Sequence, residues 1–403
     1  MMKSILDTDL YKASVSYAYW KKYPLSEGTF TFTDRNKEVY DEKFLEELKL
    51  EFQKFEYLKI TDQELEWAIK KIDYIDPEYW NDFAKNFRFD PSKINVWLDK
   101  DGHLQINVTD LMYRVTWYEI PILATVSEVR NKYRGYKADI NTIISRLDEK
   151  IDYANRNQLM FSEFGTRRRF STNTHEAICK ELKEKCPTYC AGTSNMYFAY
   201  EFGMTPVGTF PHEWIQLHAA IFGNKRANYL MLQDWIDVYG GNLGTALTDL
   251  FSTKSFLHTL TMKQAKLLDG YRIDSGDNFR VANMIIRRLQ SFGIDPKTKL
   301  IVFSNALDFP RYKEIVDAFR GRVKVSAGIG TNITNDPGIE GYVPANIVMK
   351  LSRCRVSKKD AWEPCIKISD DEGKHIGDPR DIEIAKYELH FDELDELNKT
   401  WME

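Results

Sequence analysis

The sequence predicts an α/β protein, a β/α barrel joined to a second domain of helices and antiparallel strands. Three observations predict it. From about residue 155, short apolar, β-prone runs end in polar or glycine residues and then give way to helical patterns. The run ends are Glu163, Ser194, His212, Asp249, Asp274, Ser304 and Gly328, about seven units, which suit a barrel better than an open sheet. Before that region the texture differs, being dense in Glu, Lys and aromatics at helical spacing.

Taken in order, FLEELKLEFQKFEYL and DQELEWAIKKIDYI read as amphipathic helices, the second opened by the capping-box pattern Thr61-Asp62-Gln63-Glu64. INVWLDKDGHLQINV reads as a hairpin turning at Asp101-Gly102. Residues 1–130 are therefore expected to form an N-terminal cap domain, and 131–351 the barrel. Within the barrel, RANYLMLQDWIDVYG and NFRVANMIIRRLQSFG are helices between strands, and ANIVMKLSR is a last strand closing or flanking it. The segment 352–403 carries a short hairpin and a charged helix, expected to pack back on the N-terminal domain.

Bulk properties narrow the function. The chain has 403 residues, 43% of them hydrophobic, enough for a large core. A formal net charge of −4, with no basic arm or acidic tail, argues against nucleic acid as a partner. The start, MMKSILDTDLYK, lacks an apolar stretch fit for a signal peptide, and no apolar run reaches membrane-span length. A soluble cytoplasmic protein with no membrane partner is expected. The five cysteines match no zinc-ribbon spacing and read as reduced, mostly buried thiols, with a metal shared by Cys186 and Cys190 as the minor alternative.

Strand C-termini are where barrels place their chemistry. GYRIDSGDNF (270–279) crowds Arg272, Asp274, Ser275 and Asp277 at one end. A guanidinium clamps phosphate oxygens in a fork and carboxylates hold Mg²⁺, so this loop suits a phosphorylated sugar with a divalent ion. The structural alternative is a helix cap beside a salt bridge. SAGIGTN (326–332) offers Gly328, Gly330 and Thr331 for a phosphate nest or a tight turn. GTFPHEW (208–214) sets His212 and Glu213 at a strand end. That histidine can be a base, a ligand, a nucleophile or simply a hydrogen-bonded structural residue. FSEFGTRRRFS (161–171) puts Arg167, Arg168 and Arg169 beside Phe164. An arginine next to an aromatic can hold a carboxylate-bearing ring, although three adjacent arginines cannot all face one site and at least one is open to a solvated reading.

LDTDLYK (6–12), EFGTRRR (163–169), GTSN (192–195), GTFPHEW (208–214), LTDLF (247–251), RIDSGD (272–277), FSNALD (303–308), GIGTNITND (328–336) and NIVMKLSRC (346–354) occur in this order. Together they closely resemble the nicotinate phosphoribosyltransferases, from the N-terminus to about residue 370. The resemblance implies the irregular β/α barrel of the type II phosphoribosyltransferases plus an α/β domain built from the N- and C-terminal segments. It implies nicotinate, phosphoribosyl pyrophosphate (PRPP) and ATP as substrates, Mg²⁺ as cofactor, and a homodimer whose active sites are shared.

Carried over by residue, the resemblance makes His212 the phosphorylated histidine that couples ATP to turnover. Tyr11, from the other subunit, and Phe164 would sandwich the pyridine ring, and Arg167 would pair with its carboxylate. Asp249, Arg272 and Asp274 would serve the ribosyl and ring-nitrogen region, with Asp249 and Asp274 near Mg²⁺. Gly328, Gly330 and Thr331 would hold the 5′-phosphate, assisted by Ser304, and Thr209 counts among the substrate contacts. Related nicotinamide enzymes carry an aspartate where this chain has Ser194, and that absence favours the acid over the amide. Two departures stand out. FSNALD lacks the glycine-rich, aspartate-bearing form of the nicotinamide enzymes, and Ile273 replaces a histidine common in the nicotinate enzymes.

Other readings are a nicotinamide- or quinolinate-type transferase, the latter with Arg168 and Arg169 as the only spare cations. A Schiff-base aldolase on Lys350 and a non-catalytic nucleotide-binding barrel complete the set.

Overall fold

The computed structural model describes residues 2–371 and 375–402. Its strands are β1 (Glu27–Asp34), β2 (Ile94–Leu98), β3 (Leu104–Leu111), β4 (Phe161–Glu163), β5 (Cys190–Thr193), β6 (Thr245–Leu247), β7 (Gly270–Ile273), β8 (Leu300–Phe303), β9 (Lys324–Ile329), β10 (Ile347–Arg355) and β11 (Glu363–Pro364). Two compact units contain them. One comprises Met1–Pro24, Gly28–Gly208 and Ile329–Lys350; the other comprises Leu25–Glu27, Thr209–Gly328 and Leu351–Glu403. The division falls inside the region expected to be barrel, so β4 and β5 go with the N-terminal helices. The fold class is the expected one: α/β, with parallel strands alternating with helices.

In the first unit the expected hairpin is present. β2 and β3 pair antiparallel from Ile94↔Val108 to Leu98↔Leu104. The loop between them turns on Gly102 at φ 80°, and the Asp99 carboxylate accepts the amides of Asp101 and His103. Leu104, Ile106 and Val108 alternate inward, as a half-buried strand requires. The capping box forms, with Thr61 accepting from Glu64 N at 3.2 Å and Glu64 from Thr61 N at 2.7 Å. The helix Leu10–Lys22 is pinned through Ser16, whose hydroxyl accepts from Tyr79 at 2.7 Å and Trp117 Nε1 at 2.9 Å. The leading residues of β10 lie beside β1 in the antiparallel hairpin's sheet. ANIVMKLSR is therefore a strand, but not one of the parallel set.

β4 and β5 run parallel, with Phe161↔Cys190 and Glu163↔Thr193 opposed. Beyond β4 the chain presses against the segment after β9. A Cβ on Gly165 would stand 2.0 Å from Thr334 Oγ1, while Thr334 Oγ1 donates to Gly165 O at 3.0 Å. Gly165→Ala is expected to cost about 1–3 kcal/mol through overpacking, read as a lowered midpoint in denaturant unfolding.

In the second unit β6, β7, β8 and β9 pair parallel in sequence order. The helices Thr253–Thr259, Asn278–Ser291 and Phe309–Phe319 follow β6, β7 and β8. The strand expected to end at His212 is absent. Only an isolated bridge, Thr193↔Pro206, marks the preceding run, and His212 instead opens the helix His212–Phe222. Pro206 and Pro211 remove two N–H donors from that run, which prevents a ladder. The C-terminal helix spans Leu394–Met402. It packs on Thr253–Thr259 and Asn278–Ser291 of its own unit, with His258 Nδ1 3.2 Å from Asn398 Oδ1 and Arg288 over the Trp401 ring.

All five cysteines are buried and free. Cys186 and Cys190 turn to different acceptors, Asn155 Oδ1 and Gly192 O, rather than to a shared metal. Among the described residues no helix is long and apolar enough to cross a membrane.

Candidate active site

The second unit gathers most of the polar strand ends into one cluster. Asp249 stands just past β6, Arg272 on β7, Asp274 and Ser275 just past β7, and Ser304 just past β8. His212 Nε2 lies 2.8 Å from Asp249 Oδ1. Ser275 donates to Asp249 Oδ2 at 2.6 Å. Arg272 is held by three partners: Nε donates to Ser304 Oγ at 2.8 Å, Nη2 to Asp274 Oδ1 at 2.9 Å, and Nη1 to Thr209 Oγ1 at 3.4 Å. Ser304 also donates to Asp274 Oδ1 at 2.7 Å. A guanidinium fixed on three sides is a preorganised anion clamp.

Lys367 completes the cluster, and nothing in the sequence singled it out. Its Nζ lies 2.9 Å from His212 Nε2 and 2.7 Å from Asp249 Oδ2. A strap delivers it there. Ile368 N donates to Leu250 O, Ser252 N to Ile368 O, Thr253 N to Asp370, and Gly276 N to Asp371 Oδ1. Ser252 sits at φ 63°, outside the conformations that serine prefers, at the point where strap and loop meet.

These contacts set the charges. Burial first, and then the Lys367 ammonium, lower the His212 imidazole to about 4 against the opposing pull of Asp249. His212 is thus a neutral imidazole across the physiological range. Burial pushes the Asp249 carboxyl up, but Lys367 and His212 outweigh it and hold it well below the carboxylate range. Asp274 behaves likewise, with Arg272 outweighing burial.

His212, Asp249 and Asp274 each offer an atom within 4.8 Å of the others, a spacing able to surround a cation. The oxygens differ in availability. Both Asp249 oxygens are engaged, by His212 on one side and by Ser275 and Lys367 on the other. Asp274 Oδ1 serves Arg272 and Ser304, and no hydrogen bond among the described residues uses Oδ2. A hard cation that keeps several waters fits this carboxylate set.

The first unit gathers a second group. Phe164 and Arg167 follow β4, and Ser194 follows β5. Ser194 does not present a free hydroxyl: it donates to Asp9 Oδ1 at 2.7 Å. Burial raises the Asp9 carboxyl against its hydrogen bonds from Ser194 and Thr166. Arg167 Nη1 stands 3.7 Å from the buried Glu119, which also pairs with Lys12 Nζ at 2.5 Å. Asp9, Lys12 and Glu119 were not legible as site residues. Tyr11 lies on the helix Leu10–Lys22, its amide nitrogen 3.1 Å from where a Cβ on Gly208 would fall. Gly328 lies inside β9, Gly330 comes just past it, and Thr331 opens a single helical turn. Gly330 is required by close approach, since a Cβ there would meet Phe164 O at 3.0 Å.

The neighbouring arginines have structural work. Arg168 Nε donates to Ile347 O at 2.9 Å. Arg169 is not solvated: it is fully buried, with Nη1 and Nη2 on the two oxygens of Asp7 at 2.7 and 2.9 Å. Lys350 stands near Glu119 and helps to hold that carboxyl down. A carboxylate partner favours an ammonium rather than the neutral amine that Schiff-base chemistry needs.

The sequence profile of the nicotinate phosphoribosyltransferase (NAPRTase) family matches residues 159–393, and that of the family's N-terminal domain matches residues 6–127. The chain belongs to the nicotinate phosphoribosyltransferase family. The nicotinate phosphoribosyltransferase of Chromohalobacter salexigens is 38% identical over 96% of this chain and 98% of its own length. That of Desulforapulum autotrophicum is 36% identical over 95% and 97%. The crystal structure of nicotinate phosphoribosyltransferase from Porphyromonas gingivalis superposes with a TM-score of 0.94 at 42% identity, covering 97% of this chain and all of that one. That from Vibrio cholerae gives 0.91 at 30% identity, over 98% and 96%. In this nicotinate phosphoribosyltransferase family member, Ile273 points into the core at 1% exposure, so the position departing from the family pattern is a packing position here.

Proposed function

We propose that the chain makes nicotinate mononucleotide from nicotinate and PRPP, with ATP cleavage coupled through His212 and Mg²⁺ on the pyrophosphate. The observation that carries this is the Asp249–His212–Lys367 cluster beside the Arg272–Asp274 clamp, in a chain of this family. The pyridine nitrogen is already a nucleophile, so the site needs to position and to stabilise charge rather than supply a strong base. Phe164 and Tyr11 stack on the ring, Arg167 pairs with its carboxylate, and Arg272 neutralises phosphate oxygens. Gly328, Gly330 and Thr331 hold the 5′-phosphate, assisted by Ser304, and Thr209 supports the Arg272 fork. Asp274 and Asp249 would hold Mg²⁺, which would supply Lewis-acid neutralisation of the pyrophosphate when bound.

For the coupling step, Nε2 of His212 faces Asp249 and Lys367, and no hydrogen bond among the described residues uses Nδ1. With its proton on Nε2, directed at Asp249, the ring attacks the γ-phosphorus of ATP through the Nδ1 lone pair. The bond to the bridging oxygen breaks and ADP leaves with its electron pair. The Lys367 ammonium balances the charge that arrives. The protein acts as a homodimer in this reading, Tyr11 serving the partner's cleft. Incubating the purified protein with nicotinate, PRPP and Mg²⁺, with and without ATP, tests the proposal. Nicotinate mononucleotide, formed faster with ATP, is expected; no mononucleotide under either condition refutes it.

Ser194 carries the choice of the acid. An aspartate there would set a second buried carboxylate against Asp9 and against the substrate's own. Ser194→Asp is expected to lower kcat/KM for nicotinate by at least about tenfold. Steady-state rates with acid and amide check it.

A further inference from the structure

Glu163 stands outside every role assigned above. It closes β4, its side chain is fully buried, and Phe164 follows it directly. One carboxylate oxygen accepts the amide of Gly165. The other accepts from Thr193 Oγ1 at 2.5 Å and lies 3.0 Å from His175 Nε2. Its main chain continues the tie, since Ser194 N donates to Glu163 O at 2.8 Å. One residue thus fastens two turns: the one that carries Phe164 and Arg167, and the one that carries Ser194.

His175 lies in the first turn of the helix Thr172–Lys185, with Cys179 one turn on and its Sγ 4.0 Å from Glu163. His175 Nε2 lies 3.0 Å from the Glu163 carboxylate, and both residues are buried. Glu163, His175 and Cys179 have the spacing to surround a metal. The carboxylate oxygens, however, already accept hydrogen bonds, and burial keeps the Cys179 thiol protonated. The group is a hydrogen-bond hub. Burial pushes the Glu163 carboxyl up, but His175, Thr193 and Gly165 outweigh it, so it stays an acceptor.

We infer that Glu163, in contact with His175, is a positioning residue that sets the aromatic-base subsite before substrate arrives, holding the Phe164–Arg167 and Thr193–Ser194 turns in register. This rests on the reading that Phe164 and Arg167 bind nicotinate. A hub of this kind acts chiefly on the affinity for the ring; Gly330, packed against the Phe164 carbonyl, is where a smaller effect on PRPP enters.

Two variants and a reference test it. Glu163→Gln keeps the volume but replaces one acceptor oxygen by a donor. Thr193→Val removes the hydrogen bond to Glu163, together with the one Thr193 accepts from Asn195 N, and no charge, and decides the matter alone if the first variant does not fold. KM for nicotinate is expected to rise roughly tenfold in Glu163→Gln and roughly threefold in Thr193→Val, with KM for PRPP unchanged within about twofold. Arg167→Met, the reference, is expected to raise KM for nicotinate alone. If both KM values move together, or only kcat falls, while Arg167→Met behaves as expected, the positioning role is wrong. If Arg167→Met leaves KM for nicotinate unchanged, the subsite reading is wrong and the inference falls with it.

Discussion

His212→Asn abolishes the stimulation of mononucleotide synthesis by ATP and leaves slow, ATP-independent synthesis behind. The asparagine keeps a polar group against Asp249 but has no nitrogen lone pair able to accept a phosphoryl group. The Arg272–Asp274 clamp does not depend on His212, so the condensation itself survives. Incorporation of label from γ-labelled ATP and initial rates with and without ATP measure both halves. ATP stimulation that persisted in this variant would remove the phosphohistidine from the mechanism. The pH dependence follows from the same geometry. An ordinary histidine protonates near 6.5, whereas burial and Lys367 hold His212 at about 4. ATP-dependent labelling of the protein is therefore expected to persist through pH 6 and to fall only toward pH 4. The sign for stability is the reverse of the usual paired histidine. The unfolded chain takes up this proton at a higher pH than the native state does, so acidification from about 6.5 to 4 costs stability.

Lys367→Met is the second large effect. The ammonium bridges His212 and Asp249, at 2.9 and 2.7 Å. Without it, burial still disfavours the charged ring, but the pull of the Asp249 carboxylate is opposed less and the His212 pKa rises. The arriving phosphate has also lost a counter-charge. A fall of about 10²-fold in the rate of ATP-dependent phosphorylation is expected, in the range of a lost charge-stabilising donor. The His212 pKa, followed by NMR, is expected to rise from its depressed value. An unchanged pKa and phosphorylation rate would reduce Lys367 to a packing residue.

Much of the site was legible because barrels place chemistry at strand ends. Asp249, Asp274 and Ser304 each follow a short apolar run, and the structure brings them to one cluster with Arg272. What could not be read were partners distant in sequence. Lys367 meets His212 from 155 residues away, on a strap with no pattern of its own. Asp7 and Arg169 pair across 162 residues, a core ion pair that the run of three arginines gave no sign of. Asp9 lies 185 residues from Ser194, so the serine could be singled out in the sequence but its carboxylate partner could not. Local chemistry also overrode periodicity where Pro206 and Pro211 break the run before His212 and leave a helix start in place of a strand. The partners of the C-terminal helix were not legible either, because an amphipathic face says that a helix packs without saying on what.

The most direct test is a competition. The protein is given equal nicotinate and nicotinamide with PRPP, Mg²⁺ and ATP, and both mononucleotides and ADP are counted together. Mononucleotide of the acid alone, rising in step with ADP, is the predicted result. Mononucleotide of the amide in comparable amount, or ADP released with no mononucleotide at all, would contradict the account.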